Sequence, residues 1–350
     1  MPQGAQMPHG VPRPQPNPAR RGGKPRLGRT APRAHIEGMS APRITPAVAP
    51  IAATPVAPPV APPGGAPRVF DRRAVRLHRD RAAATVPAVA DVLRDAAERL
   101  LDRLDDTHHR FARALDVGGR GVVAPLLRAR GIETVSCDLS ARMAALNGGP
   151  AVAADEEWLP FAPGSFDLVV ASLSLHWIND LPGALVQLRH ALRPDGLLLA
   201  SLPALGTLHE VRTALTAAEG ELLGGASPRV SPFPDLRDCA GLLQRAGFAL
   251  PVADVEDVSL LYADPFALLR DLRAAGETNA VALRDRRTPP RALFPAALAS
   301  LPDRDGRTGV TLRLAVMTGW APAQGQPEPL APGSGRVSLA RVLGEEPDGG

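Results

Sequence analysis

Cysteine, lysine and aromatic residues are scarce in this sequence. Cys137 and Cys239 are the two cysteines, and they are too few and too far apart for a disulfide framework or a cysteine-based zinc site. Aromatic residues make up 3% of the chain. No run of about 18 apolar residues, the length that a spanning helix needs, is present. These features predict a cytoplasmic protein without a metal site or a membrane span.

Composition divides the chain into three parts. Residues 1–68 are dominated by Pro, Ala, Gly and Arg, so they cannot bury enough apolar surface to offset the entropy of ordering, and we predict a disordered extension. Residues 69–320 carry the patterns of a folded domain, and residues 321–350 are again rich in Pro and Gly and are predicted to form a tail. The net charge of +4 arises largely in the extension. Its arginines lack interleaved aromatic residues for base stacking, so nucleic acid is not an expected partner.

Strand-like and helix-like patterns alternate through the predicted domain. An amphipathic helix begins near Pro87 and ends near Leu104. The predicted strands are 113–117, 133–138, 151–153, 166–172, 197–201, 252–262 and 311–317, and the predicted helices are 122–130, 140–146, 180–192, 208–223, 235–246 and 265–275. This alternation predicts an α/β fold with a doubly wound, mostly parallel, seven-stranded sheet. No helix comes immediately before the last strand, which suits a reversed strand.

The loop after the first predicted strand has the sequence Asp-Val-Gly-Gly-Arg-Gly at 116–121. Its glycines allow a ligand to approach the backbone, and the following helix presents unpaired amide groups. Asp138 ends the second strand, where a carboxylate can accept hydrogen bonds from ribose hydroxyls. Two cofactors fit these residues. The G-x-G-x-x-A pattern from Gly119 to Ala124 suits NAD, whereas an acid at Asp116 suits the methionine ammonium of S-adenosylmethionine (SAM).

Three segments downstream carry a family resemblance. They are Asp-Glu-Glu-Trp-Leu-Pro-Phe at 155–161, the stretch Ser-Phe-Asp-Leu-Val-Val-Ala-Ser-Leu-Ser-Leu-His-Trp-Ile-Asn-Asp-Leu-Pro at 165–182, and Leu-Arg-Pro-Asp-Gly at 192–196. Together they resemble the class I SAM methyltransferases, a Rossmann-like fold. More narrowly, they are similar to malonyl-carrier-protein methyltransferases and to mitochondrial complex I assembly factors of the arginine-hydroxylase type. Flanking segments such as Gly-Glu-Thr-Asn at 276–279 favour the second group.

The resemblance implies SAM as cofactor and a set of site residues. It places the methionine side of SAM at the glycine loop, the ribose at an acid after the second strand, and the adenine between a flanking apolar residue and two acids. The segment after the fourth strand faces the reactive sulfonium and the acceptor, and residues 70–81 form an N-terminal lid. The implied cofactor residues are Asp116, Gly118, Gly119, Gly121, Asp138, Leu139, Asp155, Glu156 and Ser172, and the implied substrate residues are Ser174, His176 and Trp177.

Several interpretations stay open at this point. The His176-Trp177 pair suits either an acceptor site or ordinary packing, so no catalytic residue is assigned. Arginines 72, 73, 76, 79 and 81 are typical of a solvated helix face. Relatives have Asp-x-Gly-x-Gly-x-Gly in the first loop, and here the loop is one residue shorter, which moves its amide groups by up to about 3.5 Å.

The implied function is transfer from SAM to a protein or carrier-bound substrate. Through the assembly factors, the resemblance also implies a role in complex I assembly, with an iron-sulfur subunit of NADH:ubiquinone oxidoreductase as partner. The shortened loop motivates a different hypothesis, a non-catalytic assembly or interaction protein with a degenerate cofactor loop. A nicotinamide-dependent oxidoreductase is the third hypothesis.

Overall fold

A computed structural model describes residues 68–327 and residue 334 of the chain. The predicted extension, except for residue 68, and most of the predicted tail lie outside the described residues. Both therefore stay predictions. The predicted domain falls within the described part.

The described residues contain one sheet of eight strands in the order β3-β2-β1-β4-β5-β8-β6, with β7 paired to β8. Strands β1 to β5 run parallel, and β8 runs antiparallel to both β5 and β6. All seven predicted strands form, and the two-residue β7 is an addition. The strands are β1 Arg113–Val117, β2 Glu133–Asp138, β3 Ala151–Ala153, β4 Phe166–Ser172, β5 Leu192–Pro203, β6 Ala249–Tyr262, β7 Asp303–Arg304 and β8 Arg307–Trp320.

Strand order separates the two cofactor hypotheses. The dinucleotide-binding fold has the order 3-2-1-4-5-6 with parallel strands. Here the last strand is reversed, as predicted, and is inserted between β5 and β6. This arrangement weighs against the NAD hypothesis.

Nine helices flank the sheet in the described part, and α1 and α9 are the two whose bounds the sequence did not predict. Side-chain caps explain where two of the helices begin. The side chains of Asp71 and Ser140 accept hydrogen bonds from backbone amides at the beginning of α1 and α4. No helix among the described residues is long and apolar enough to cross a bilayer. The helices are α1 Arg72–Ala82, α2 Ala90–Asp102, α3 Val123–Ala129, α4 Ala141–Ala145, α5 Leu181–Ala191, α6 His209–Leu223, α7 Leu236–Arg245, α8 Pro265–Ala274 and α9 Leu293–Ala299, with 3₁₀ turns at Val86–Val89 and Leu175–Trp177.

Apolar side chains form a layer on each face of the sheet. One layer joins the sheet to α5 and α7, and the other joins it to α2 and α3. A third cluster joins α6, α8 and α9 to the far ends of β6 and β8, where Leu260 and Val310 contribute. This third cluster lies outside the nucleotide-binding core and forms part of the wall of the cavity described below.

Candidate cofactor site and acceptor cavity

The carboxyl ends of β1, β2 and β4 meet at one edge of the sheet because these strands are parallel. The amide of Gly118 donates to the carbonyl oxygen of Cys137 at 2.8 Å, which holds the loop after β1 against β2. A Cβ on Gly118 would lie 2.6 Å from Cβ of Ser174, so the segment after β4 lies directly over the loop. Ser172 ends β4 beside Ser201 and is buried. The structure thus brings the predicted loop and the predicted Ser172-Trp177 segment together.

Asp116 is fully buried beneath the glycine loop. The hydroxyl of Ser136 donates to Oδ2 of Asp116 at 3.2 Å, and Oδ1 has no hydrogen-bond partner among the described residues. Burial raises the pKa of Asp116 to about 7, even though Ser136 stabilises the ionised form. A Cβ on Gly119 would overlap this carboxylate, so glycine is the residue that the site requires there.

Asp138 ends β2, and only one of its two carboxylate oxygens has a hydrogen-bond partner among the described residues. Its Oδ1 accepts a hydrogen bond from the amide of Ser140 at 2.7 Å, whereas Oδ2 has no partner within the described part of the chain. The side chain is 1% exposed. Burial raises the pKa of Asp138, an effect that Glu156 reinforces and Arg79 opposes. A buried acceptor without a donor is energetically costly, so this oxygen fits a ligand hydroxyl.

Helix α1 covers this edge of the sheet with one buried arginine, Arg79, and one partly buried arginine, Arg72. Arg79 is 1% exposed, and its Nη1 lies 2.5 Å from Oε1 of Glu156 and 3.4 Å from Oδ1 of Asp138. Its Nη2 donates to the backbone oxygen of Ser174 at 3.3 Å. Arg72 pairs with Asp155 at 2.5 Å and with Glu156. The prediction of a solvated arginine face is therefore wrong for Arg72 and Arg79, because their side of α1 faces three acids.

These ion pairs fix the charge state of the acid at the centre of the cluster. Burial disfavours ionisation of Glu156, but Arg79 and Arg72 outweigh burial and lower its pKa to about 2. Burial likewise opposes the charge on Arg79, and the acids around it nevertheless raise its pKa. Leu139, implied to flank adenine, packs against the apolar cluster of Phe70, Ala74, Val75, Trp177 and Ala280. Helix α1 therefore closes over the predicted adenine and ribose positions.

A functional residue that the sequence did not reveal is Glu277, in the loop after α8. Its Oε2 accepts hydrogen bonds from Nε2 of His176 and Nε1 of Trp177, each at 2.7 Å, and its Oε1 pairs with Arg120 of the glycine loop. Burial opposes ionisation, but His176 and Arg120 hold the pKa of Glu277 well below its usual range. Residues 276–279 were noted only as a flanking resemblance, and nothing local indicated that Glu277 reaches His176.

A cavity of about 500 Å³ borders this cluster. Arg120, His176, Trp177 and Glu277 are among the residues that line it. Most of its walls are apolar, with side chains from α2, α6, α8, α9 and β6. The volume lies within the range of about 300–1,000 Å³ that is typical of small-molecule pockets. The implied substrate residues His176 and Trp177 thus line a cavity, whereas Ser174 is buried next to Gly118 and does not line it.

Comparison with known proteins identifies the family. A model described as a methyltransferase domain matches residues 89–251. The mitochondrial arginine-hydroxylase NDUFAF5 of Danio rerio is 36% identical over 287 residues, which cover 78% of this chain and 88% of that protein. The malonyl-[acyl-carrier protein] O-methyltransferase of Laribacter hongkongensis is 37% identical over 275 residues, which cover 72% and 90%. The chain belongs to the class I SAM-dependent methyltransferase family.

Membership of this methyltransferase family confirms the predicted fold class and the predicted cofactor, SAM. Among solved structures, the YcgJ protein of Bacillus subtilis matches with a TM-score of 0.46 at 14% identity, over 65% of this chain and 99% of that chain. In the described residues, no group of three or more His, Cys, Asp or Glu side chains is arranged to hold a metal ion.

Residues of this methyltransferase fit SAM at three points. The unpartnered Oδ2 of Asp138 suits a ribose hydroxyl, and the unpartnered Oδ1 of Asp116 suits the methionine ammonium. The hydroxyl of Ser174, also buried and without a partner among the described residues, lies next to Gly118 of the glycine loop. The individual cofactor contacts remain predictions.

Proposed function

We propose that the protein transfers the methyl group of SAM to an acceptor that is part of a protein or is bound to a carrier protein. The observation that supports the proposal is proximity: Arg120 of the glycine loop and Leu173, the residue after β4, line the cavity together with His176 and Trp177. A cofactor site beside a cavity is what a group transfer between two bound molecules requires.

The chain's own residues have a limited chemical task in this reaction. Bound SAM supplies an already activated methyl group, so the protein mainly orients the reactants and excludes water. Asp138 and Asp116 would hold the ribose and the ammonium. Helix α1, fastened by Arg72 and Arg79, covers the site, and the ion pairs of these arginines with Glu156 keep that cover in place.

The more specific part of the proposal is the identity of the methyl acceptor. The relatives named arginine-hydroxylase and malonyl-[acyl-carrier protein] O-methyltransferase match this chain at nearly equal identity, 36% and 37%. A shared fold does not choose between their reactions. We propose a protein acceptor in respiratory complex I assembly, with an iron-sulfur subunit as candidate partner, because the match to NDUFAF5 covers more of this chain, 78% against 72%. A cytoplasmic location stays a prediction, and these NDUFAF5 relatives are named mitochondrial.

Titration calorimetry with SAM tests the proposed function. We expect wild type to bind, and Asp138→Asn to lose about tenfold in affinity because an amide replaces the acceptor that the ribose would use. Asp257→Asn is the matched control, because this exposed acid of β6 pairs with Arg313 of β8, away from the glycine loop. Equal affinity in Asp138→Asn and wild type would contradict the assigned site.

A second assay separates the acceptors. Methyl-labelled SAM is incubated with the candidate iron-sulfur subunit and, separately, with the carrier-bound malonyl thioester. Label on the thioester alone would replace the assembly proposal with a carrier-protein methyltransferase.

A non-catalytic assembly protein is the second candidate, favoured by one observation. Arg79 and Arg72 pair with Asp138, Asp155 and Glu156, so protein groups take up part of the hydrogen-bonding capacity of the acids assigned to SAM. Failure of SAM to bind at millimolar concentration would establish this candidate, whereas micromolar binding would reject it.

A further inference from the structure

Glu277, His176 and the apolar cavity form an arrangement whose chemistry is more specific than methyl transfer in general. The side chain of His176 is 3% exposed, and its Nε2 lies 2.7 Å from Oε2 of Glu277. Its other ring nitrogen, Nδ1, is buried and has no hydrogen-bond partner in the described part of the chain. The ring also lines the cavity. Sequence comparison assigns no role to this pair.

The carboxylate determines which ring nitrogen carries the proton. Glu277 also pairs with Arg120 and accepts a hydrogen bond from Trp177, so its carboxylate is the acceptor in the contact with Nε2 of His176. When the ring is neutral, Nδ1 is then the nitrogen without a proton. A carboxylate that holds an imidazole in one tautomer while the opposite nitrogen faces a reactant is the arrangement of a general base. Glu277 is in this sense a positioning residue.

A base is useful only to an acceptor that must lose a proton. A carboxylic acid with a pKa near 4 is already ionised at neutral pH, whereas a phenol with a pKa near 10 is almost entirely protonated. Glu277 is paired with Arg120, and other arginines line the cavity, so charge alone does not select between these acceptors. The base distinguishes them, because it assists a neutral hydroxyl and offers nothing to a carboxylate that has already lost its proton.

The cavity walls describe the rest of such an acceptor. Leu93, Val211, Leu215, Leu268 and Leu272 are among the apolar side chains that line the volume of about 500 Å³. The ring of Phe233 also lines it, with its centroid 6.4 Å from that of His176, which provides an aromatic surface next to the base. A ligand with an apolar body and a single hydroxyl would satisfy both the walls and Nδ1.

We propose that His176, positioned by Glu277, removes the proton from a hydroxyl group borne on an apolar body in this cavity. This inference rests on the proposed function for its second reactant. The acceptor oxygen gives its proton to Nδ1 and forms a bond to the methyl carbon. The carbon-sulfur bond of SAM breaks, its electron pair stays on sulfur, and S-adenosylhomocysteine and a methyl ether are the products.

Binding of three matched probes to the full chain, without SAM, tests the inference. The probes are para-pentylphenol, para-pentylanisole and para-pentylbenzoate, which share an apolar body and differ in the group offered to Nδ1. We expect calorimetry to show the phenol binding about tenfold more tightly than the anisole, which lacks the proton that Nδ1 accepts. The benzoate has no proton to give to Nδ1, so its affinity should not fall in His176→Phe. Phenol, but not anisole, should also shift the ¹⁵N resonance of Nδ1 of His176.

Variants of His176 and Glu277 test whether these two residues cause the preference for phenol over anisole. His176→Phe should bind phenol and anisole equally, and Glu277→Gln should reduce the preference because the tautomer is no longer fixed. His209→Phe is the matched control: this histidine is 60% exposed at the start of α6, and the variant should keep the tenfold preference.

Two outcomes would overturn the inference. They are equal binding of phenol and anisole to wild type, and a preference that survives in His176→Phe. Binding of SAM in the separate calorimetric assay, combined with either outcome, would refute the base while leaving the proposed function intact. A phenol preference without SAM binding would instead support the base and contradict the proposed function.

Discussion

Replacement of Arg79 by methionine is the most direct perturbation of the cover over the site. The guanidinium is 1% exposed and lies between Glu156 and Asp138, whose side chains are each 1% exposed. Methionine keeps most of the volume but leaves two buried carboxylates without this cation. Breaking a buried ion pair by removal of one partner costs about 3–5 kcal/mol. We therefore expect the free energy of unfolding to fall by about that amount, a large part of the usual 5–15 kcal/mol.

Urea denaturation at pH 7 measures this loss. Arg99→Met is the control, because Arg99 pairs with Asp95 on the surface of α2, where both side chains are about half exposed, and it should leave stability nearly unchanged. Adding Glu156→Gln to the Arg79 variant should recover part of the loss, since one uncompensated charge is removed. A loss below about 1 kcal/mol in Arg79→Met would refute the buried network.

The pH dependence gives an independent check with a defined sign. The pKa of Glu156 is about 2 in the folded chain, against an ordinary value of 4.5. Its contribution to stability is therefore complete above pH 4.5 and is lost as the pH falls through 4.5 towards 2. Without Arg79 much of that contribution is absent. The stability gap between wild type and Arg79→Met should consequently narrow between pH 5 and pH 3, and a constant gap would contradict the assignment.

Two further predictions concern the glycine loop. Because burial raises the pKa of Asp116 to about 7, a SAM ammonium bound there should release a fraction of a proton at pH 7; the calorimetric enthalpy should then differ between phosphate and Tris buffers, but not in Asp116→Asn. Identical wild-type enthalpies in both buffers would place the ammonium elsewhere. Gly119→Ala should cost about 1–3 kcal/mol and weaken SAM binding, because its Cβ overlaps the Asp116 carboxylate. Gly220→Ala, with nothing within 4 Å on α6, should be neutral or stabilising, and similar losses in both variants would refute the clash.

The sequence was sufficient where local pattern determines structure. Strand β4 is nearly all apolar and was predicted with its observed bounds, and Ser140 caps α4 as expected. Helix α9 has seven residues and strand β7 has two, so neither is long enough to show a period. The two acids of the site, Asp116 and Asp138, were found because the end of a parallel strand is a position that the sequence itself marks.

The rest of the site depends on contacts that no local pattern encodes. Glu277 reaches His176 across 101 positions, and Arg79 reaches Glu156 across 77. The spacing of charges on α1 is the same whether the helix faces water or a row of acids. Only the tertiary structure shows that Arg79 is buried and Arg72 partly buried against acids, and the expectation of a solvated face failed for that reason.

The shortened glycine loop has a different meaning once its contacts are known. The amide of Gly118 is bonded to the carbonyl of Cys137, and the amide of Gly121 donates to Oδ1 of Asn147 at 3.0 Å. Between them Arg120 adopts a φ of 52°, an unfavourable value for a residue with a side chain. Its guanidinium bonds the backbone oxygen of Leu173 at 2.8 Å and pairs with Glu277.

A loop that had merely lost function would have no reason to retain such strain. Backbone strain of this kind costs about 1–3 kcal/mol and persists only where the surrounding contacts over-determine it. Arg120 is 3% exposed and joins the cofactor loop to the carboxylate that positions His176. The shortened loop is thus connected, through the Arg120–Glu277 ion pair, to His176 in the acceptor cavity. This coupling favours an enzyme with a rebuilt loop over a remnant with a degenerate one.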